Sequence, residues 1–108
     1  MPKFKMLVFS NVAKGGDEAN YNKWYNEQHI PDVCNVPGFT GAQRFKRSGD
    51  EGPAQYLAIY EMDAEDPAAV VAELTSRAGT DKMIMTDDID LESATIMMYE
   101  QVTEPYTA

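Results

Sequence analysis

Residues 21–45 read YNKWYNEQHIPDVCNVPGFTGAQRF, a stretch that passes from a helical period to a strand period. On a period of 3.6, Tyr21, Trp24, Tyr25 and Gln28 share one face, with His29 at its margin. Asn22, Lys23, Asn26 and Glu27 form the solvated face opposite. Pro31 disfavours helical dihedrals at Ile30, so the regular helix is expected to end close to His29. After Pro37-Gly38 the pattern alternates from Gly38 to Arg47. Phe39, Gly41, Gln43 and Phe45 fall on one side, and Thr40, Ala42, Arg44 and Lys46 on the other, which predicts a strand. The only His (His29), the only Cys (Cys34) and the only Trp (Trp24) lie within eleven consecutive residues. Any site is expected here.

Working outward, KFKMLVFSN (Lys3 to Asn11) crowds β-formers around an apolar centre and predicts a first strand. Gly15-Gly16 interrupts it, and Asp17 supplies an N-cap for the helix. Downstream, the turn SGDEGP (Ser48 to Pro53) leads into QYLAIYEM, a further strand that forms a hairpin with the one before. Asp66-Pro67 pairs an N-cap with a proline at the first helical position. Pro67, Val70, Val71, Leu74 and Ala78 then make one apolar stripe, and Gly79 ends that helix. An acidic connector holds Met83, Ile84 and Met85 among aspartates and reads as a solvated loop or a lid. SATIMMYEQV (Ser93 to Val102) is the last strand.

The order β-α-β-β-α-β predicts an α+β ferredoxin-like fold, in which two helices cover one face of a four-stranded antiparallel sheet. The strands carry apolar residues on both sides: Phe4, Met6 and Val8 oppose Leu7 and Phe9, and Tyr56, Ala58 and Tyr60 oppose Leu57 and Ile59. The second face must be covered, and a second copy of the chain is the expected cover, giving a homodimer.

A chain of 108 residues fits a single domain. Its net charge of -9, with no Lys/Arg cluster to override it, disfavours nucleic acid or an anionic membrane as partner. No apolar run approaches the roughly 20 residues of a membrane span, and the apolar core of MPKFKMLVFS is too short for a signal peptide. One cysteine makes no internal disulfide, which fits the cytoplasm as the expected compartment.

The run W-Y-N-E-Q-H-I-P-D-V (Trp24 to Val33), followed by V-P-G-F (Val36 to Phe39) and a strand, resembles the EthD-like branch of the dimeric α/β-barrel superfamily. The resemblance implies a homodimer with a pocket between the helices and the sheet of each subunit. Relatives include cyclases, isomerases, cofactor-free monooxygenases, dehydratase-like catabolic proteins and members without assigned activity, and fold alone does not choose among them. It points to His29 as the residue acting in the pocket. The paired histidines of a haem- or metal-binding relative are missing, so no cofactor and no metal are expected.

His29 suits general acid/base chemistry because an imidazole titrates near neutrality; its other reading is a hydrogen bond to the helix end. Asp32 either orients His29 and raises its pKa or caps the connector. Tyr21, Trp24 and Tyr25 line a pocket for a flat apolar substrate or belong to the core. Tyr60, with Tyr56 and Tyr99, needs a partner for any buried hydroxyl. Of Gln43 and Arg44, whichever points inward is a polar anchor, with a surface ion pair the other reading for Arg44. Cys34 has no basic neighbour to activate it and reads as a buried small residue. The expected activity is a cofactor-free dehydratase, isomerase or cyclase acting on a hydrophobic, oxygenated (aromatic or polyketide-like) small molecule. The catalytic set is His29 and Asp32; the substrate-binding set is Tyr21, Trp24, Tyr25, Gln43 and Tyr60. The alternatives are a cofactor-free monooxygenase and a non-enzymatic accessory protein of a catabolic pathway.

Overall fold

The computed structural model describes all 108 residues. Strands β1 (Lys3–Ser10), β2 (Phe39–Lys46), β3 (Tyr56–Asp63) and β4 (Thr95–Glu100) form one antiparallel sheet in the order β2-β3-β1-β4. Helical segments α1 (Glu18–Trp24), α2 (Ile30–Cys34) and α3 (Pro67–Arg77) cover one face of it, as the sequence pattern predicts.

The helix starts follow from their caps. The Asp17 carboxylate accepts from the Asn20 amide at 3.0 Å, and that of Asp66 from the Ala69 amide at 3.2 Å with Pro67 next in the chain. Each cap satisfies an amide that the first helical turn leaves free. The first helix does not end near His29. It widens into a π turn over Tyr25–His29, where the Ile30 amide reaches back five residues to the Tyr25 carbonyl, and then continues as α2 to Cys34. Widening the turn accommodates Pro31, which has no N–H to donate and whose ring crowds the preceding turn of a regular helix.

The register sorts the strands into two faces. Met6, Val8 and Ser10 sit opposite Tyr60, Ala58 and Tyr56 and face the helices. Leu7 and Phe9 sit opposite Ile59 and Leu57 and face away. One expectation about β2 is corrected. A bulge between Phe39 and Gly41 places Phe39 opposite Met62 on the helix side, while Gly41, Gln43 and Phe45 stay on the outer side. A bulge adds one residue to one strand, so the alternation read through Phe39 breaks there. Phe39 is buried, and its ring centroid lies 5.9 Å from that of Tyr60.

The core lies between the helices and the inner sheet face, with Met6, Tyr21, Tyr25, Val33, Tyr60 and Met62 at its centre. The acidic connector after α3 is a lid-like loop rather than a purely solvated one. Its own Met83 is fully buried, and its Ile89 bridges back to Val12. No helix is long and apolar enough to cross a membrane.

Candidate functional site

Two clusters lie under the first helix. The polar one is built on Arg44, the inward residue of β2. Its guanidinium lies over the Tyr25 ring at 4.3 Å from the centroid, with Tyr56 at 5.1 Å and Tyr21 at 5.4 Å. It donates to Oδ1 of Asn26 at 2.8 Å and to Oδ1 of Asn22 at 2.9 Å. The Tyr56 hydroxyl donates to the Glu18 carboxylate, and that bond, with Lys46 nearby, holds the Glu18 pKa below its usual value. Ser10 and Tyr21 share a hydroxyl hydrogen bond of 2.6 Å. Arg44 is therefore enclosed by aromatic rings and amides, where the sequence favoured a surface ion pair. Stacking of this kind suits a planar, weakly hydrated guanidinium.

The second cluster is a cavity of about 200 Å3 between the π turn, the sheet and the loop after α3. Its walls are almost wholly apolar, with Met6, Val8, Val33, Leu74, Met83 and Ile89 among them. It opens past Leu91 and Ile96, which line it and are 60% and 56% exposed. Four side chains with polar atoms are among its lining residues: Tyr25, His29, Tyr60 and Thr75. The Tyr25 and Tyr60 hydroxyls are buried beside each other, and the His29 Nδ1 is buried without a hydrogen-bond partner. Buried polar atoms are nearly always paired, and leaving one unpaired costs about 1–3 kcal/mol. His29, the only imidazole of the chain, brings such an atom to the wall of this cavity.

Burial sets the charge state of His29 and the two tyrosines. Desolvation lowers the His29 pKa to about 4, against a smaller upward pull from Asp32, so the imidazole is neutral at pH 7. Desolvation raises the Tyr25 phenol to about 12 and pushes Tyr60 further up, with neighbouring Tyr25 adding to the effect. Both phenols are thus fixed as O–H groups. The neutral imidazole of His29 stands at the cavity wall, with the Tyr25 and Tyr60 phenols buried around it.

Of the residues singled out from sequence, Tyr25, His29 and Tyr60 come together and the others do not. Trp24 stands behind the site, stacked on His29 with centroids 4.5 Å apart. Tyr21 belongs to the Arg44 cluster. Asp32 accepts from Gln28 Nε2 at 2.7 Å rather than bonding His29, and the net shift of the imidazole is down, not up. Gln43 lies on the outer sheet face, across the sheet from the cavity, because its place in the register opposes Ile59. Cys34 is half-buried, and burial raises its thiol pKa, the direction opposite to an activated nucleophile. The loop residues Met83, Met85 and Ile89 were not read as site residues. Their signal was three apolar side chains inside an acidic segment, each in need of a buried place.

The chain thus has a ferredoxin-like α+β fold, four antiparallel strands covered on one face by helices. Solved structures match over nearly its whole length. The heme-degrader MhuD of Mycobacterium tuberculosis, with two hemes bound in its active site, aligns at a TM-score of 0.63 and 16% identity, covering 95% of this chain and 99% of that one. A mutant of MhuD with two manganese protoporphyrin IX bound per active site gives 0.64 and 18%, covering 98% and 100%. An EthD family protein of Bacillus halodurans gives 0.53 and 14%, covering 94% and 100%. The EthD-like resemblance of residues 21–45 is thus matched at the level of fold. Neither a protein-family model nor a curated protein matches the sequence.

Proposed function

We propose that the protein is a cofactor-free enzyme that binds a hydrophobic, oxygenated small molecule in the cavity and moves a proton through His29. One observation carries this reading: His29, whose Nδ1 is buried without a hydrogen-bond partner, lines an apolar cavity beside the buried phenols of Tyr25 and Tyr60. A neutral imidazole has a lone pair to accept a proton. Because burial lowers its pKa to about 4, the proton it gains is held only while the anion formed beside it offsets the charge. The imidazole takes the proton from carbon next to a carbonyl, and the electron pair moves onto the carbonyl oxygen. Return of the proton at another carbon gives isomerisation; loss of a leaving group gives dehydration.

MhuD binds heme, but this cavity is too small for a porphyrin. Its 200 Å3 lies below even the roughly 300–1,000 Å3 of drug-sized ligand pockets. The proposed chemistry therefore rests on this chain's own side chains. A monooxygenase of the same fold is the second reading, supported by the heme-degrading neighbour, and a ligand-binding accessory protein is the third.

The test is deuterium exchange from D2O into enolisable carbonyl compounds, followed by NMR. Exchange by the wild type and its loss in His29→Gln, with binding retained, supports proton transfer. A strict oxygen requirement for turnover moves the reading to a monooxygenase, and binding without exchange or turnover moves it to an accessory protein.

The outer sheet face supports a second part of the reading, that two copies pair through it. Leu7, Phe9, Leu57 and Ile59 are only half-covered there, and Phe45, Met97 and Tyr99 are 42%, 43% and 53% exposed. An apolar patch of this kind is the usual mark of an interface, and self-complementary pairing is its commonest use.

A further inference from the structure

We propose that the cavity takes the apolar end of a small amphiphile, which enters between the end of α3 and the Leu91–Ile96 segment and leaves its polar or charged head in water. The inference rests on the reading above that this cavity is the ligand site. It adds where the ligand enters and which part of it is buried.

The way in follows from sorting the lining residues by exposure. Met6, Tyr25, Val33, Tyr60, Met83 and Ile89 are buried and belong to the floor. The exposed ones are Thr75 and Ala78 at the end of α3, Leu91 before β4, and Ile96 on it. They stand on two borders of the cavity, so the mouth lies between those borders. Ile96 pairs with Val8, which faces the helices, yet it is 56% exposed, because β4 is an edge strand that the helices leave uncovered.

The interior holds nothing for a head group. No Lys, Arg, Asp or Glu lines the cavity. The Tyr25 and Tyr60 hydroxyls lie beside each other with no surface open to it. A carboxylate or ammonium drawn inside would leave water without gaining a partner, which is costly. The hydroxyl residue on the water side is Thr75, whose Oγ1 donates to the Val71 carbonyl at 2.9 Å and keeps lone pairs for a head group or for water. Apolar surface, by contrast, continues outward through the mouth. A chain passing between Leu91 and Ile96 covers both, and each is otherwise left more than half in water.

Volume sets how much of the ligand is buried. Benzene, with six carbons, fits an apolar cavity of roughly 150 Å3. The same packing places about eight carbons in the 200 Å3 available here.

The experiment is titration calorimetry of the whole chain with butanol, hexanol, octanol and decanol, and with octanoate and octylammonium. The expected result is an affinity gain of about fourfold per added methylene up to about eight carbons, the worth of one buried CH2, with smaller steps beyond. Octanol, octanoate and octylammonium are expected to bind within about tenfold of one another, since a head left in water keeps its hydration. The ring signals of His29, the only histidine, are expected to move on binding. Ala78→Trp, at an exposed position on the rim, is expected to cut octanol affinity at least about tenfold, the loss of two buried methylenes, with an unchanged melting temperature. Ile59→Lys, on the outer sheet face, is expected to bind octanol like the wild type, which separates the cavity from the other apolar surface. A flat length series, failure of both charged analogues where octanol binds, or full affinity in Ala78→Trp overturns the proposal. Enolisable ketones that exchange deuterium through His29 while the alcohol series stays flat strike this ligand class and keep the proton-transfer reading. Absence of any binding or exchange removes both.

Discussion

Trp24 lies flat on His29, with ring centroids 4.5 Å apart and planes inclined by 21°, while its indole Nε1 donates to the Ile84 carbonyl at 2.9 Å. One side chain thus buries a face of the imidazole and fastens the loop that roofs the cavity. Trp24→Phe keeps a ring over His29 and removes the loop contact. Its expected cost is about 1 kcal/mol of stability, the net worth of one such hydrogen bond. Amide exchange is expected to quicken from Met83 to Ile89 while the sheet stays protected; uniform acceleration across the chain would mean that Trp24 serves the whole core instead.

His29 ties stability to pH. Its folded pKa is lowered to about 4 by burial, whereas the unfolded chain titrates near its ordinary value of 6.5. Between these values the unfolded state binds more protons, so stability falls as the pH drops through this window and levels off below it. The loss is on the order of 3 kcal/mol across the window. Urea midpoints for wild type and His29→Gln, taken from pH 7 to pH 4, isolate this contribution: the wild-type curve is expected to slope more steeply. Parallel curves would show that His29 titrates in the fold as it does in the unfolded chain.

Arg44 holds β2 to α1 through Asn22 and to the π turn through Asn26, and stacks on Tyr25. Arg44→Met removes two charge-assisted hydrogen bonds and a cation–π contact, for an expected loss of about 2–4 kcal/mol. Arg44→Lys keeps the charge but not the planar fork, so it is expected to recover less than half of that loss. Full recovery by lysine in urea denaturation would show that only the charge mattered.

The strands, their order and the helix caps were legible because each rests on local chemistry: alternation in Tyr56–Glu61, an aspartate before α1 and before α3, and Pro67 at a first turn. Two features were not. The π turn depends on how the chain absorbs Pro31, and the local rule against a helical residue before proline pointed the other way. The bulge at Phe39 moved one side chain across the sheet without any signal in composition. The site divided on the same line. Tyr25 and His29 share a helix face and were grouped from spacing. Gln43 was grouped with them although strand parity alone cannot say which face meets the helices. Asp32 does pull the His29 pKa upward, but burial outweighs it, and its hydrogen bond goes to Gln28 one turn earlier rather than to His29. The loop wall was missed because Met83, Met85 and Ile89 have no regular spacing, and only the tertiary fold brings them over the cavity.

The outer sheet face gives the last prediction. Ile59 sits in the centre of that face, level with Leu7 on β1 and Gln43 on β2. Two ion pairs, Lys3–Asp63 at 3.1 Å and Lys5–Glu61 at 3.0 Å, lie on the same face toward one end and bound the apolar part. These exposed pairs add little stability of their own, but an approaching apolar surface avoids burying them, which confines a second copy to the Ile59 end. Light scattering of the wild type is accordingly expected to give twice the chain mass of 12.1 kDa. Ile59→Lys puts a charge at the middle of the contact, where desolvation without a partner is costly, and is expected to give single chains. A dimer's melting temperature rises with protein concentration because assembly is coupled to folding, so the wild type is expected to show that rise and Ile59→Lys to lose it. Lys5→Ala, outside the apolar patch, is the control and is expected to leave the dimer intact. A wild type that scatters as a single chain at every concentration would leave the apolar face open to another partner.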